Sequence, residues 1–257
     1  APGGGMGFQL TFFRSRTGLA SDTPGRFAAR QLLFAHAAVT DLAGRRHLHA
    51  DRLARWAGDE VPTRRARAST ADTDVRLDGW QFSRTPGTAA PVGTPYTTTI
   101  DAERFAFTLR LAPTQPVLLQ GDEGFSRKGP AEAQASHYLS EPQLDAAGNL
   151  RLERNTRAVR GRAWLDHEWS DELLHPEAVG WDWIGMNLDD GSALTAFRLR
   201  RADGAVLWAG GSEDEAAIQE AHGATIRCLP FEQPDAPGKC FYTGKETSTV
   251  ALFARAY

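Results

Sequence analysis

Apolar and polar residues alternate along much of this chain. Phe8, Leu10 and Phe12 alternate with Gln9, Thr11 and Phe13, and Phe105, Phe107, Leu109 and Leu111 alternate with Ala106, Thr108 and Arg110. Alternation with period two is the mark of a strand with one buried face. Val117 to Gln120, Val159 to Trp164, Trp181 to Leu188, Ala193 to Arg200 and Val206 to Ala209 continue the pattern. Turn signals separate these segments: Asp78-Gly79, Ala147-Gly148-Asn149, Asp190-Gly191 and Asp203-Gly204. Short strands at such intervals predict an all-β antiparallel barrel or sandwich. Arg64 to Asp74 and Thr85 to Thr99, polar or rich in Pro, Gly and Thr, read as loops.

Phe27 to Val39 is ambiguous. Its Ala, Leu, Gln and Arg content favours helix, but its apolar residues fill every face, as in a strand buried on both sides. The pattern changes at Ser212. Ser212 and Glu215 fit a capping box, so a helix is expected over Glu213 to His222, with Gly223 as its stop. Thr225 to Phe231 and Thr247 to Tyr257 read as strands around a Pro/Gly loop, Gln233 to Gly238. This small α+β tail is not expected to continue a barrel, though Thr247 to Phe253 could pair with an open edge near Val206 to Gly210.

Composition sharpens that boundary. Two of the three lysines (Lys239 and Lys245, but not Lys128) and both cysteines, Cys228 and Cys240, lie beyond Ser212. The 257 residues carry 41% hydrophobic and 24% charged residues, which suits a globular core rather than disorder. A net charge of −3 gives no basic field for nucleic acid. No segment approaches the ~18 apolar residues of a membrane span. The first residues, Ala1-Pro-Gly-Gly-Gly5, have loop composition without an initiator Met or a signal-like apolar run, as in a mature form or a fragment.

The densest chemistry is Ala163-Trp-Leu-Asp-His-Glu-Trp-Ser170. On a strand, Trp164, Asp166 and Glu168 face one way and Leu165, His167 and Trp169 the other, with the two carboxylates about 7 Å apart. Such a pair in a low-dielectric cavity raises one partner's proton affinity and supplies a general acid. Spacing alone fits solvated acids at a strand end beside a packed Trp better, because strand-end carboxylates are common. Gly180-Trp-Asp-Trp-Ile-Gly185 places Trp181 and Trp183 on one face, either to line an apolar cavity or to fill core volume. The loop from Leu119 to Gly129 lacks the Gly-Lys-Ser/Thr of a phosphate-binding loop, so Arg127 and Lys128 read as part of a hairpin loop. His47 and His49 could share a strand face, but no metal set is evident, and no cofactor is expected. Asp166, His167 and Ser170 cannot form a triad, because adjacent strand residues do not point at one another.

Taken together, Gly7-Phe-Gln-Leu-Thr-Phe-Phe-Arg14, Phe34-Ala-His-Ala-Ala-Val-Thr-Asp41, Leu119-Gln-Gly to Ser126-Arg-Lys-Gly129, the Asp166-His-Glu-Trp169 segment and Gly180-Trp-Asp-Trp183 resemble the carotenoid 1,2-hydratase and AttH-like family over about residues 6 to 211. The resemblance implies two lipocalin-like (calycin) β-barrels in tandem and makes Leu32 to Thr40 a strand. It implies a first barrel over 1–157, the start of a second over 158–211, and a foreign tail over 212–257. Both barrels would be incomplete, because the family's opening Glu-Trp-Trp-Tyr strand is absent and the second barrel stops near Gly211. The family's chemistry implies acid-catalysed hydration of an apolar isoprenoid or polyene. Asp166 would be the proton donor, Glu168 its coupled partner and His167 an orienting group, in a pocket with Trp164, Trp169, Trp181, Asp182 and Trp183. The alternative is a non-catalytic lipid carrier. The resemblance also favours a periplasmic or envelope setting, with membrane association but no spanning segment. The tail is similar to the C-terminus of prolyl-tRNA synthetase in Ala224-Thr-Ile-Arg-Cys-Leu-Pro-Phe231, Gly238-Lys-Cys-Phe-Tyr-Thr-Gly-Lys245 and Leu252-Phe-Ala-Arg-Ala-Tyr257. Only Cys228 and Cys240 match the four zinc-binding cysteines of some of those enzymes, so no zinc is expected, and no aminoacylation motif is present.

Overall fold

The computed structural model describes residues 5–18, 29–56, 65–85, 92–171 and 174–210, together with the backbone of short strands at 224–228, 238–239, 246–247 and 252–255. All regular structure among them is strand. The expected helix over Glu213 to His222 lies outside the described residues. No helix among the described residues is long and apolar enough to cross a membrane.

The chain forms two compact units that are not consecutive in sequence. The first comprises Ala1–Pro116 and Gln143–Ala163, and the second Val117–Pro142 and Trp164–Tyr257. The expected boundary at 157/158 falls inside one long strand, β12 (Asn155–Trp169), and β11 (Ala135–Leu152) likewise supplies residues to each unit.

In the first unit, β1 (Met6–Arg16), β2 (Gln31–Asp41) and β3 (Arg46–Trp56) form an antiparallel sheet in that order. The ambiguous segment after Phe27 is thus a strand where it is described, and Leu33, Ala35, Ala37 and Val39 alternate inward. A second sheet runs from β4 (Ala66–Ala68) through β5 (Asp74–Leu77), β6 (Trp80–Arg84), β7 (Tyr96–Asp101) and β8 (Phe105–Ala112) to the later half of β11. Strands β4 and β7 therefore occupy parts of both segments read as loops. Asp78 and Gly79 take positive φ and join β5 to β6 as a two-residue hairpin. The sheets meet through apolar faces: Phe8 packs against Phe107, and the Arg52 guanidinium covers Trp80. Trp56, Trp80, Tyr96, Ile100 and Phe105 are fully buried there, each contributing about 1.5–3 kcal/mol through burial.

Ala147-Gly148-Asn149 is not a turn. It lies within β11, paired with Arg110, Leu109 and Thr108 of β8. A Cβ on Gly148 would sit 2.0 Å from the Thr108 carbonyl oxygen. Glycine is there because the neighbouring backbone comes too close for any side chain.

In the second unit, β9 (Leu118–Leu119) and β10 (Phe125–Arg127) pair with the first half of β11. β13 (Gly180–Asn187), β14 (Ala193–Arg200) and β15 (Val206–Gly210) form an antiparallel sheet matching the expected strands closely. The tail strands pair among themselves: β16 (Ala224–Cys228) with β19 (Leu252–Arg255), and β17 (Gly238–Lys239) with β18 (Glu246–Thr247). Of the segment Thr247 to Phe253, anticipated to pair with the edge at β15, the described residues Thr247, Leu252 and Phe253 pair with β17 and β16 instead.

Candidate functional site

The site lies in the second unit, where two strand faces carry complementary polar groups. On β11, Ser136, Tyr138 and Ser140 alternate onto one face; on β12, Trp164, Asp166 and Glu168 do the same. Ser140 Oγ donates to Asp166 Oδ1 at 2.6 Å, and Trp164 Nε1 donates to the same oxygen at 2.8 Å. Ser136 Oγ donates to Glu168 Oε1. The β13 sheet adds Trp183, whose Nε1 donates to the Tyr138 hydroxyl at 3.0 Å. The Trp164 and Trp183 rings meet edge to face at 6.2 Å.

Lys128, just after β10, closes the group. Its Nζ lies 2.9 Å from Glu168 Oε1, 4.5 Å from the Tyr138 ring centroid and 3.9 Å from that of Phe197. Burial pushes its ammonium below the usual lysine range, against the opposing pull of Glu168 and Asp166. Burial, followed by the charge of Asp166, pushes the Tyr138 phenol well above its usual range. The phenol therefore keeps its proton and accepts from Trp183, with the Asp166 carboxyl group near it. Phe197 is the register partner of Trp183, which places both on one face of the sheet.

Gly185 is part of this construction. A Cβ there would lie 2.5 Å from the Trp183 ring and 3.2 Å from Trp164. The last residue of Gly180-Trp-Asp-Trp-Ile-Gly185 thus leaves room for two indoles.

The expected site residues divide by strand face. Asp166, Glu168, Trp164 and Trp183 come together. Trp181 shares the face of Trp183 by alternation and is 60% exposed. His167 and Trp169 stand on the other face of β12, in ring contact with each other, and Trp169 stacks on His137. An orienting role for His167 at the carboxylates therefore does not follow from the geometry. Asp182 points away from the tryptophans and pairs with Arg198 at 2.7 Å and Arg200 at 3.0 Å, which hold its carboxyl below the usual range. Asp166 and Glu168 are both exposed, so the low-dielectric cavity expected around the pair is not what surrounds them.

Sequence reasoning missed Ser136, Tyr138 and Ser140 and gave Lys128 no part in the site. A faint signal existed in the scarcity of lysine and in the Ser-x-Tyr-x-Ser alternation over Ser136 to Ser140. Among the described residues no group of three or more His, Cys, Asp or Glu is arranged to hold a metal ion. His47 Nδ1 instead pairs with Thr40 Oγ1 at 2.9 Å, and Cys240 lies outside the described residues.

Comparison with known proteins gives one match along most of the chain and another at its C-terminal end. A prolyl-tRNA synthetase C-terminal profile matches residues 204–257. A proline–tRNA ligase of Roseiflexus sp. (strain RS-1) is 52% identical over 60 residues, which are 23% of this chain and 12% of that enzyme. One of Parabacteroides distasonis is 42% identical over 129 residues, 44% of this chain and 26% of that enzyme. The chain thus spans only a small part of these relatives' length. A kievitone hydratase structure from Nectria haematococca gives a TM-score of 0.48 at 11% identity over 93% of this chain and 68% of that one, too low to carry weight. A crystal structure described as an AttH of Nitrosomonas europaea is 39% identical, with a TM-score of 0.72 over 95% of this chain and 70% of that one. The fold is accordingly the all-β, lipocalin-like one expected. The AttH-like family profile matches residues 1–229, and the chain belongs to that family.

Proposed function

We propose that this AttH-like protein adds water across a carbon–carbon double bond of an apolar isoprenoid or polyene by acid catalysis. The observation that carries the reading is the surroundings of Asp166: one carboxyl group flanked by the Trp164 indole and the protonated Tyr138 phenol, with Trp183 bonded to that phenol. Asp166 takes up a proton from solvent on the oxygen that Ser140 and Trp164 do not bond and gives it to one alkene carbon, and the more substituted carbon becomes a cation. The neighbouring indole π-systems attract that cation. Water then forms the C–O bond and loses a proton, and Asp166 recovers one from solvent. General acid catalysis of this kind contributes about 10²–10⁴-fold. The resemblance to carotenoid 1,2-hydratases supports the substrate class. Such polyenes reside in membranes, so an envelope-associated setting goes with this reading.

The test is incubation with a lycopene- or neurosporene-like polyene, followed by mass spectrometry. The expected product carries one added water, and Asp166→Asn abolishes it while polyene binding persists. An active Asp166→Asn protein would move the donor role elsewhere. A second reading, a lipid carrier, is favoured by the exposed Trp181 and Trp183 side by side on one face of β13, since adjoining apolar groups on a surface mark binding sites. Polyene retained without a mass change would establish the carrier.

A further inference from the structure

The two carboxylates of the site keep different company. Asp166 is met by uncharged donors: the Ser140 hydroxyl and the Trp164 indole. Glu168 is met by a cation. Lys128 Nζ and Ser136 Oγ both land on Oε1, so the second oxygen is the one left to a reactant. When two acids share a site, unlike environments are what separate an acid's duty from a base's.

Lys128 is built to stay in place. Its side chain is 15% exposed, its Nζ rests on two aromatic rings, and its backbone N–H donates to the Gln134 carbonyl at 2.6 Å. The preceding residue is tied as well. The Arg127 guanidinium bonds the Gly129 and Pro130 carbonyls, and the Arg127 carbonyl accepts from Trp208 Nε1 at 2.9 Å. A lysine held at both ends cannot follow Glu168 about; it fixes where Glu168 sits.

We propose that Lys128 is a positioning residue that presents Glu168 as the proton acceptor for the adding water, leaving Asp166 as the donor. This rests on the hydration reading. In the capture step the water oxygen forms its bond to the cationic carbon, one O–H bond breaks, and that proton passes to Glu168 Oε2. Glu168 is 42% exposed and releases the proton to solvent. The charge of Asp166 also reaches Lys128, but the direct contact is with Glu168.

The division of labour predicts a partition that a structural role would not produce. A cation that is formed but not captured loses a proton and returns to alkene. In deuterated water the recovered, unhydrated polyene then carries deuterium. The wild type is expected to yield mainly hydrated product. Lys128→Met and Glu168→Gln should each lower hydration by about 10-fold or more while deuterium in the recovered polyene rises. Lys128→Arg should move the ratio back toward wild type. Asp166→Asn should lose hydration and exchange together. Denaturant midpoints of each variant check that it is folded. If Lys128→Met lowers hydration and exchange by the same factor, Lys128 is only structural and the proposal falls. If the wild type gives neither product nor exchange, the hydration reading falls and takes this one with it.

Discussion

The first unit hides its two tryptophans and the second displays most of its own. Trp56 and Trp80 are each 1% exposed, within a core that also holds Tyr96, Phe105 and Phe107. In the second unit Trp169, Trp181 and Trp183 remain open to solvent, together with Leu119, Phe125, Ile184 and Met186. Both units are antiparallel β-structure read from the same alternating pattern. The pattern says which residues share a face; it does not say whether that face is closed over. Where the face is closed, its side chains hold the fold together. Where it stays open, and polar groups converge on it as around Asp166, lies the site proposed for a ligand.

Substitutions can test that contrast directly. The largest expected difference is between Trp80→Ala and Trp181→Ala. Removing Trp80 opens a cavity and deletes the hydrogen bond from its Nε1 to the Asp101 carbonyl at 2.9 Å, and should cost about 3–5 kcal/mol in urea unfolding. Trp181→Ala should stay within about 0.5 kcal/mol of wild type. Its effect should appear instead as weaker polyene binding. A large stability loss at Trp181 would mean that its face is core after all.

A smaller contrast separates two glycines. Gly148→Ala forces a Cβ into the backbone of β8 and should destabilise by about 1–3 kcal/mol. The Gly185→Ala methyl meets the Trp183 ring, which can turn aside, so binding and turnover should fall more than stability does. Equal unfolding midpoints for the two variants would contradict this.

The smallest effect concerns pH. The Tyr138 phenol is raised in the folded protein, so the folded state holds its proton more tightly than the unfolded chain does. That contribution is fully present below the unfolded value, about pH 10, and is lost as pH rises beyond it. Lys128, lowered by burial, acts oppositely and adds stability as pH rises toward the unfolded lysine value. Urea midpoints compared at pH 9 and pH 11 should fall for wild type and fall less for Tyr138→Phe.

Period two made much of this legible from sequence. It located β1, β8, β13, β14 and β15 and placed Asp166 and Glu168 on one face of β12. It failed along β11, where Pro142, Gly148 and Asn149 look like turn chemistry. Gly148 is instead required by the close approach of β8, a property of the neighbouring strand that local sequence does not carry. The same limit applies to the site. Lys128, Tyr138 and their serines come from β11 and the segment before it, far from Asp166 in sequence. His167, Trp169 and Asp182 sit beside Asp166, Glu168, Trp181 and Trp183 in sequence and on the opposite strand faces in space.

Trp183 also gives the protein an optical reporter. Five of the seven tryptophans (Trp164, Trp169, Trp181, Trp183 and Trp208) belong to the second unit, and Trp183 is bonded to Tyr138. Exposed indoles emit at longer wavelengths than the enclosed pair Trp56 and Trp80. A polyene settling beside Trp183 would absorb that emission, while the enclosed pair would supply a steadier background. Ligand arrival could then be followed by fluorescence in the unmodified protein, with the light itself distinguishing an occupied site from an unfolded chain.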